Sequence, residues 1–173
     1  QARWIEATVL GRRPIRVCGL YLPNGNPAPG PKYDYKLAWM SRMEARAKVL
    51  LAQEEPTVFC GDYNVIPQDA DAAKPELWTT DALALPQSRA AYRRLLALGL
   101  TDAFRARDAS PGQYTFWDYQ AGAWERNNGI RIDHHLLTPR AADLLTGAGV
   151  DKSERGLDRP SDHVPVWITL AAA

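Results

Sequence analysis

The chain opens with strand-type runs of hydrophobic residues and then changes to a helix-type pattern. β-Branched and aromatic residues dominate positions 4–10 and 15–22, and Gly and Pro lie between the two runs. This predicts an edge strand, a turn and a more buried strand. From 33 to 53, apolar side chains recur every three or four positions, which predicts a long amphipathic helix. The apolar run 57–60 ends at Gly61, as is typical of a buried strand.

The later pattern is more broken. Residues 23–31 are rich in Pro, Asn and Gly and predict a loop, and residues 67–86 predict a polar, irregular excursion. Helical period returns over 88–98, with Ser88 as the expected N-cap and Gly99 as the expected stop. Strand character is predicted over 114–119, 130–137 and 164–170. Strands interleaved with a few helices indicate a mixed α/β layered domain rather than a simple βαβ repeat.

Composition narrows the function classes only slightly. The 173 residues carry a formal net charge of +1, so charge alone does not argue for a nucleic-acid partner. Two cysteines in a domain of this size do not suggest a disulfide framework. Cys18 and Cys60 lie in apolar runs and favour buried thiols in a reducing, cytoplasmic setting. No apolar run reaches the roughly 20 residues of a membrane-spanning helix, so no membrane partner is expected. Neither G-x-x-x-x-G-K-[ST] nor G-x-G-x-x-G occurs, so no nucleotide cofactor is expected.

Four polar clusters lie at or beside the predicted strand ends: YLPN at 21–24, GDYN at 61–64, RID at 131–133 and SDH at 161–163. Such positions are held by a rigid sheet and are open to solvent, which suits catalysis. If the strand before GDYN continues, Asp62 and Asn64 point to the same side and could activate water or bind a hard cation. A plain polar turn is the alternative, and the two interpretations remain open at this point.

The histidine-rich segment after RID gives a further constraint. Period two sends His134 and His135 to opposite faces of a strand, which argues against a shared zinc site and favours ordinary hydrogen-bonded or surface histidines. Asp133 is a lone carboxylate in a strand-like segment and needs a partner. Asp162 and His163 offer a hard-metal ligand and a phosphate donor or base, or else a solvated turn. Without a G-x-S-x-G motif, Ser161 is not expected to be a nucleophile.

Taken together and in this order, the motifs resemble the exonuclease III branch of the endonuclease/exonuclease/phosphatase superfamily. The segments that carry the resemblance run from WIEATV through GLYLPNGN, GDYN, LTDAFR, YTFWDY and NNGIRIDH to RPSDHVPVW. The resemblance implies an α/β fold, part of a four-layered α/β-sandwich with mixed, largely antiparallel sheets flanked by helices. Residues 1–173 are expected to be the C-terminal portion of a single such domain, because the family's preceding segment, with its Asn and Glu metal ligands, has no counterpart here.

The resemblance also implies roles for individual residues. Asp62 would orient or deprotonate the attacking water, Asn64 would steady it, and His163, paired with Asp133, would hydrogen-bond a phosphoryl oxygen. Mg²⁺ or Mn²⁺ is the implied cofactor, with Asp162, Asp62, Asn64 and His163 as the implied ligands. Tyr21 would also be catalytic, and Asn24 would contact the substrate. Both would lie near the scissile phosphate. A pocket for a flipped, base-less deoxyribose would use Phe116, Trp117, Ile130 and Ile132, for which core packing is the alternative.

The implied function is a Mg²⁺-dependent DNA-repair nuclease that cuts 5′ to abasic sites and trims 3′ ends of double-stranded DNA. The alternatives are a general phosphodiesterase or phosphatase of the same superfamily and, for this chain alone, a catalytically inactive DNA-binding or interaction module. The parent protein is expected to be a monomer, whereas dimerisation of the chain itself stays open. Five arginines lie close together in the sequence: Arg89, Arg93, Arg94, Arg105 and Arg107. They could contact DNA, but a solvated helix surface is the favoured interpretation.

Overall fold

The computed structural model describes residues 2–171 and arranges them as a mixed α/β domain. The strands are β1 (Trp4–Val9), β2 (Ile15–Tyr21), β3 (Thr57–Asp62), β4 (Thr101–Asp102), β5 (Asp133–Leu137), β6 (Leu145–Val150) and β7 (Val166–Leu170). The helices are α1 (Pro31–Leu51), α2 (Pro86–Ala97), α3 (Ala103–Arg107) and α4 (Pro139–Ala142). No helix within residues 2–171 is both long and apolar enough to cross a membrane.

Five strands form the main sheet in the order β1-β2-β3-β5-β4. Only β2 and β3 run parallel, and the other pairings are antiparallel, as predicted. Strand β1 is the edge strand that the sequence predicted. The pairing sets Tyr21 opposite Asp62 and Asp62 opposite Asp133, so these three side chains form one lateral row on one face of the sheet.

Helices α1 and α2 cover the opposite face of the sheet. Their apolar stripes pack on Cys18, Leu20 and Phe59 in one buried cluster. On the face that carries the lateral row, the two-stranded sheet β6-β7 packs through Ile168 and Leu170. The described residues therefore supply three layers of the predicted four-layered sandwich, namely helices, main sheet and second sheet.

Aromatic packing replaces one predicted strand. Residues 114–119 form no strand, and only Phe116 makes isolated bridges, to Ile130 and to His163. Trp117 is buried between Tyr114 and Trp124 instead of joining a ladder. The strand predicted over 130–137 begins only at Asp133, because the preceding residues are engaged by the 114–117 segment.

The second helix also begins earlier than predicted. Helix α2 starts at Pro86, whose missing N–H suits a first helical turn, so Ser88 is not its N-cap. The Ser88 hydroxyl is buried and donates a hydrogen bond to the Ala82 carbonyl at 2.6 Å.

A buried ion network lies beneath the sheet edge. Arg131 is 1% exposed and pairs with Asp71 at 2.7 Å and with Asp102 at 2.9 Å. Arg105 also pairs with Asp71. Arg89 pairs with Asp69, and Arg94 pairs with Glu44. Three of the five clustered arginines, namely Arg89, Arg94 and Arg105, therefore have an acidic partner within the chain.

Candidate active site

The GDYN segment makes a tight turn at the end of β3. Gly61 has φ 142°, and a Cβ atom there would lie 1.9 Å from the Leu20 carbonyl oxygen, so only glycine fits. Strand β3 ends at Asp62, and Asn64 follows with φ 47°. The Asn64 backbone N–H donates to Asp62 Oδ1 at 2.7 Å, and its Nδ2 donates to Oδ2 at 3.0 Å. Asp62 and Asn64 do meet, as predicted, but through a turn rather than a continued strand.

Asn24 extends this pair toward solvent. Its Nδ2 donates to Asn64 Oδ1 at 3.2 Å, while Asn64 Nδ2 also donates to the Leu22 carbonyl at 2.8 Å. Asn24 is exposed and Asn64 is buried. A hydrogen-bonded chain of two amides therefore leads from the surface to the Asp62 carboxylate.

Asp133 finds its partner in His163. His163 Nδ1 lies 2.9 Å from Asp133 Oδ2, which joins the loop before β7 to the start of β5. Burial acts to lower the pKa of His163, but its hydrogen bond to Asp133 and the charge of that carboxylate outweigh burial, so the pKa is raised. Because Asp133 holds Nδ1, Nε2 is the ring nitrogen left to act on a substrate.

The pKa of the Asp62 carboxyl lies close to neutral pH. Burial raises its pKa, and the nearby charge of Asp133 raises it further, to about 6, against the lowering effect of the Asn64 N–H. The site thus combines a carboxylate that can take up a proton near neutrality with an imidazole that keeps its proton more readily than usual. Such a pair suits general acid–base work on an acidic substrate.

The metal ligands implied by the resemblance are only partly assembled. Asp62 and Asp133 crowd two negative charges that a divalent cation would offset, and carboxylate and amide oxygens suit Mg²⁺ or Mn²⁺. Asp162 is half-buried, and its backbone carbonyl accepts a hydrogen bond from the Trp117 N–H. Among residues 2–171, however, no three His, Cys, Asp or Glu side chains converge as a metal-binding group.

The predicted sugar-pocket residues divide into two groups. Phe116 is half-buried, and its ring lies edge-on to His163 with 5.0 Å between centroids. Trp117, Ile130 and Ile132 are buried in the interior, as the core-packing alternative expects, and their role in a sugar pocket stays a prediction. Tyr21 is exposed, with the Arg3 guanidinium 4.8 Å from its ring centroid.

The two adjacent histidines diverge as the strand period requires. His134 is buried, with Nδ1 3.0 Å from an Arg131 nitrogen and Nε2 3.0 Å from the Val65 carbonyl. Burial, together with the charge of Arg131, lowers the pKa of His134 to about 4. His134 is therefore a neutral structural histidine, whereas His135 lies on the face of Asp133.

Sequence reasoning missed Lys36. Its side chain is fully buried, and Nζ donates to the carbonyls of Asn24 at 3.0 Å, Asn64 at 2.6 Å and Ala82 at 3.0 Å. Burial lowers the pKa of this amine to about 7. The available signal was its spacing, because Lys36 lies three residues after Tyr33 and four before Met40, on the stripe that packs inward.

Acidic, amide and imidazole groups gathered at the strand ends of an α/β sandwich define an enzyme-type site. The chain belongs to the endonuclease/exonuclease/phosphatase family, whose sequence profile matches residues 2–163. It is 30% identical over 161 residues to exodeoxyribonuclease III of Haemophilus influenzae, covering 88% of this chain and 60% of that protein.

Solved structures agree with the family assignment. A 3′-5′ exonuclease from Neisseria meningitidis superposes with a TM-score of 0.92 at 36% identity, covering 98% of this chain and 65% of that one. An AP endonuclease from Archaeoglobus fulgidus gives a TM-score of 0.91 at 33% identity, with the same coverages. The chain spans about 60% of the length of the first two curated relatives it matches.

Proposed function

We propose that this chain carries the phosphodiester-hydrolysing residues of an exodeoxyribonuclease III-like DNA-repair nuclease. The activity would be 3′ to 5′ exonuclease action on double-stranded DNA and cleavage 5′ to abasic sites. The observation that carries the proposal is the pairing of His163 with Asp133 beside the Asp62–Asn64–Asn24 chain, within a family of endonucleases, exonucleases and phosphatases.

In this proposal Asp62 orients the attacking water and accepts its proton, because its pKa of about 6 leaves it largely ionised yet basic enough near neutral pH. Asn64 and Asn24 would hold the water and the phosphate by their side-chain amides. His163 would donate from Nε2 to a non-bridging oxygen as charge builds up on phosphorus. The new bond joins the water oxygen to phosphorus, the bond from phosphorus to the 3′ oxygen breaks, and that oxygen takes a proton from solvent.

A divalent cation, Mg²⁺ or Mn²⁺, is proposed as cofactor of the whole protein, where it would offset negative charge on the phosphate and the leaving oxygen. Asp162, Asp62, Asn64 and His163 are the proposed contributors from this chain.

Several proposals about the whole protein accompany this one. Residues 1–173 would be the C-terminal portion of a single domain, and the parent protein would be a cytoplasmic monomer. Its substrate would be duplex DNA with an abasic site, with Phe116 against the exposed sugar. A general phosphodiesterase and an inactive DNA-binding module are the alternatives that the experiment must separate.

The test compares the 173-residue chain and its parent on two duplexes, one with a single abasic analogue and one intact, with Mg²⁺ present. We expect cleavage 5′ to the abasic analogue, and Asp62→Asn should lower its rate at least about 100-fold. Lys48→Met, at an exposed position of α1, is the control and should cleave normally. Equal rates on both duplexes would reject the repair assignment. If the parent cleaves DNA while the 173-residue chain binds DNA without cleaving it, the inactive-module alternative holds for this chain.

A further inference from the structure

Resting on the proposed function, we propose that Lys36 is a positioning residue that holds Asn24 and Asn64 in register with Asp62. It reaches no substrate, because its side chain is fully buried beneath the two asparagines. It acts through their main chain.

The Lys36 ammonium group joins three segments of the chain by hydrogen bonds. An ammonium group has three N–H donors and no acceptor, and all three donors of Lys36 are used by backbone carbonyls within 3.0 Å. Those carbonyls belong to three separate chain segments, and Lys36 Nζ bonds to all three of them. Three carbonyl acceptors around one nitrogen fit the protonated amine, and hydrogen bonds from a charged donor are roughly twice as strong as neutral ones, so this junction holds the three segments together.

Asn24 and Asn64 are each held at two points, the side-chain amide and the backbone carbonyl. Their side chains bond to each other at 3.2 Å, and their carbonyls bond to the same ammonium group at 3.0 and 2.6 Å. Without the ammonium, the side-chain contact and the bond from Asn64 Nδ2 to the Leu22 carbonyl would still join the loop to the turn, but the carbonyls of Asn24 and Asn64 would lose their shared donor. We expect the two main-chain segments then to shift, and the two side-chain amides to shift with them.

Gly25 brings the loop into contact with the Lys36 side chain. Its φ is 93°, and a Cβ atom at this position would lie 2.7 Å from Lys36 Cδ. The loop that carries Asn24 therefore packs directly against the aliphatic stem of the lysine. The stem supports the loop while the ammonium holds its carbonyl.

The loop that carries Asn24 is also held on its other side. Asp81 accepts two hydrogen bonds from Asn26 in the same loop, at 3.1 and 3.0 Å, so the loop is fixed on both sides of Gly25. Ala82, whose carbonyl is the third acceptor, follows Asp81 directly.

The experiment compares Lys36→Met with Leu50→Ala. The first variant keeps the apolar stem but removes every donor. The second creates a cavity in the same helix at its far, fully buried end and serves as a stability control. Both should lower the melting temperature, so activity is measured well below the lower of the two transitions. We expect Lys36→Met to lower kcat on the abasic duplex by about 100-fold with KM changed less than about threefold, because misplacement near 1 Å has effects of this size. Leu50→Ala should keep kcat within about twofold.

A second readout is independent of turnover. The side-chain amide resonances of Asn24 and Asn64 in ¹H–¹⁵N spectra should shift or broaden in Lys36→Met and stay in place in Leu50→Ala. Unmoved resonances, or equal loss of kcat in both variants, would overturn the positioning role. If the wild-type protein does not cleave DNA, the proposed nuclease function fails while the resonances still decide the role of Lys36. If Lys36→Met does not fold, Gly25→Ala takes its place. This variant keeps the ammonium group but pushes the loop away from the lysine stem, so it should shift the same two resonances. Unmoved resonances would again reject the proposal.

Discussion

Replacing Arg131 with methionine probes the buried ion network that supports the start of β5. The guanidinium is 1% exposed and pairs with Asp71 and Asp102, which are 0% and 8% exposed. Methionine has a similar apolar length but leaves two carboxylates without their main counter-charge. Removing one partner of a buried ion pair typically destabilises by about 3–5 kcal/mol. For a domain of this size that corresponds to roughly 6–20 °C in melting temperature.

The pH dependence of this effect follows from the two carboxyls. Burial acts to raise the pKa of Asp71 and of Asp102, but Arg131 outweighs it, so both pKa values lie below normal. A carboxyl whose pKa is lowered by folding stabilises the protein above its unfolded pKa, and this stability is lost as pH falls through the folded pKa. Without Arg131, burial acts on Asp102 with its main counter-charge gone and on Asp71 against Arg105 alone, so both pKa values should rise. The destabilisation by Arg131→Met should therefore be largest near pH 7 and shrink toward pH 4.

The assay is urea unfolding followed by circular dichroism at pH 7 and pH 4.5, with Arg94→Met as the control. Arg94 also pairs with a glutamate, but its side chain is 51% exposed, and exposed pairs contribute at most about 1 kcal/mol. A destabilisation by Arg131→Met no larger than that of Arg94→Met, or one that is the same at both pH values, would refute the reasoning.

Three further outcomes are expected. Gly61→Ala should destabilise by about 3 kcal/mol or more, because the new Cβ meets the Leu20 backbone, whereas Gly99→Ala, also at positive φ but with nothing within 4 Å, should lose only about 1–2 kcal/mol in thermal melts. Asp62→Asn, in metal-free buffer, should raise stability by about 1–2 kcal/mol at pH 8 and not at pH 4. A carboxyl whose pKa is raised to about 6 by folding opposes folding once ionised, and urea midpoints at the two pH values check this. In an NMR titration, His163 should lose its proton at a lower pH in Asp133→Asn than in the wild type, because the partner that raises its pKa becomes neutral, and an unchanged midpoint would contradict the pairing.

Much of the fold was readable from periodicity. The long helix α1 and strands β1, β2 and β3 follow patterns whose apolar positions do pack inward, and the structure confirms them. The strand prediction for the segment around Trp117 is wrong because aromatic residues favour strands, whereas these rings pack edge-to-face on one another. Strand β6 was missed because two of its six residues are glycines. Tertiary packing requires glycine at position 149, because a Cβ atom there would lie 2.4 Å from the Trp167 ring.

The site was predictable only in part. Asp62 and Asn64 are close in sequence, so their meeting needed only a short-range argument. The partner of Asp133 came from the family resemblance, because nothing local indicates a contact with His163, 30 residues away. Lys36 and Arg131 were overlooked because their charges suggested solvent, whereas their hydrogen-bond acceptors lie in distant segments.

The lateral row of Tyr21, Asp62 and Asp133 makes strand registration a determinant of the chemistry. Neighbouring strands lie about 4.8 Å apart, so the geometry of the sheet sets the spacing between the side chains of the row. A slip of β5 by a single residue would turn Asp133 to the helix side and separate it from His163. That slip would also expel His134 and Leu136 from the buried side. Selection for a well-packed interior would then preserve the alignment of the reacting groups, even where it acts on residues that never meet a substrate.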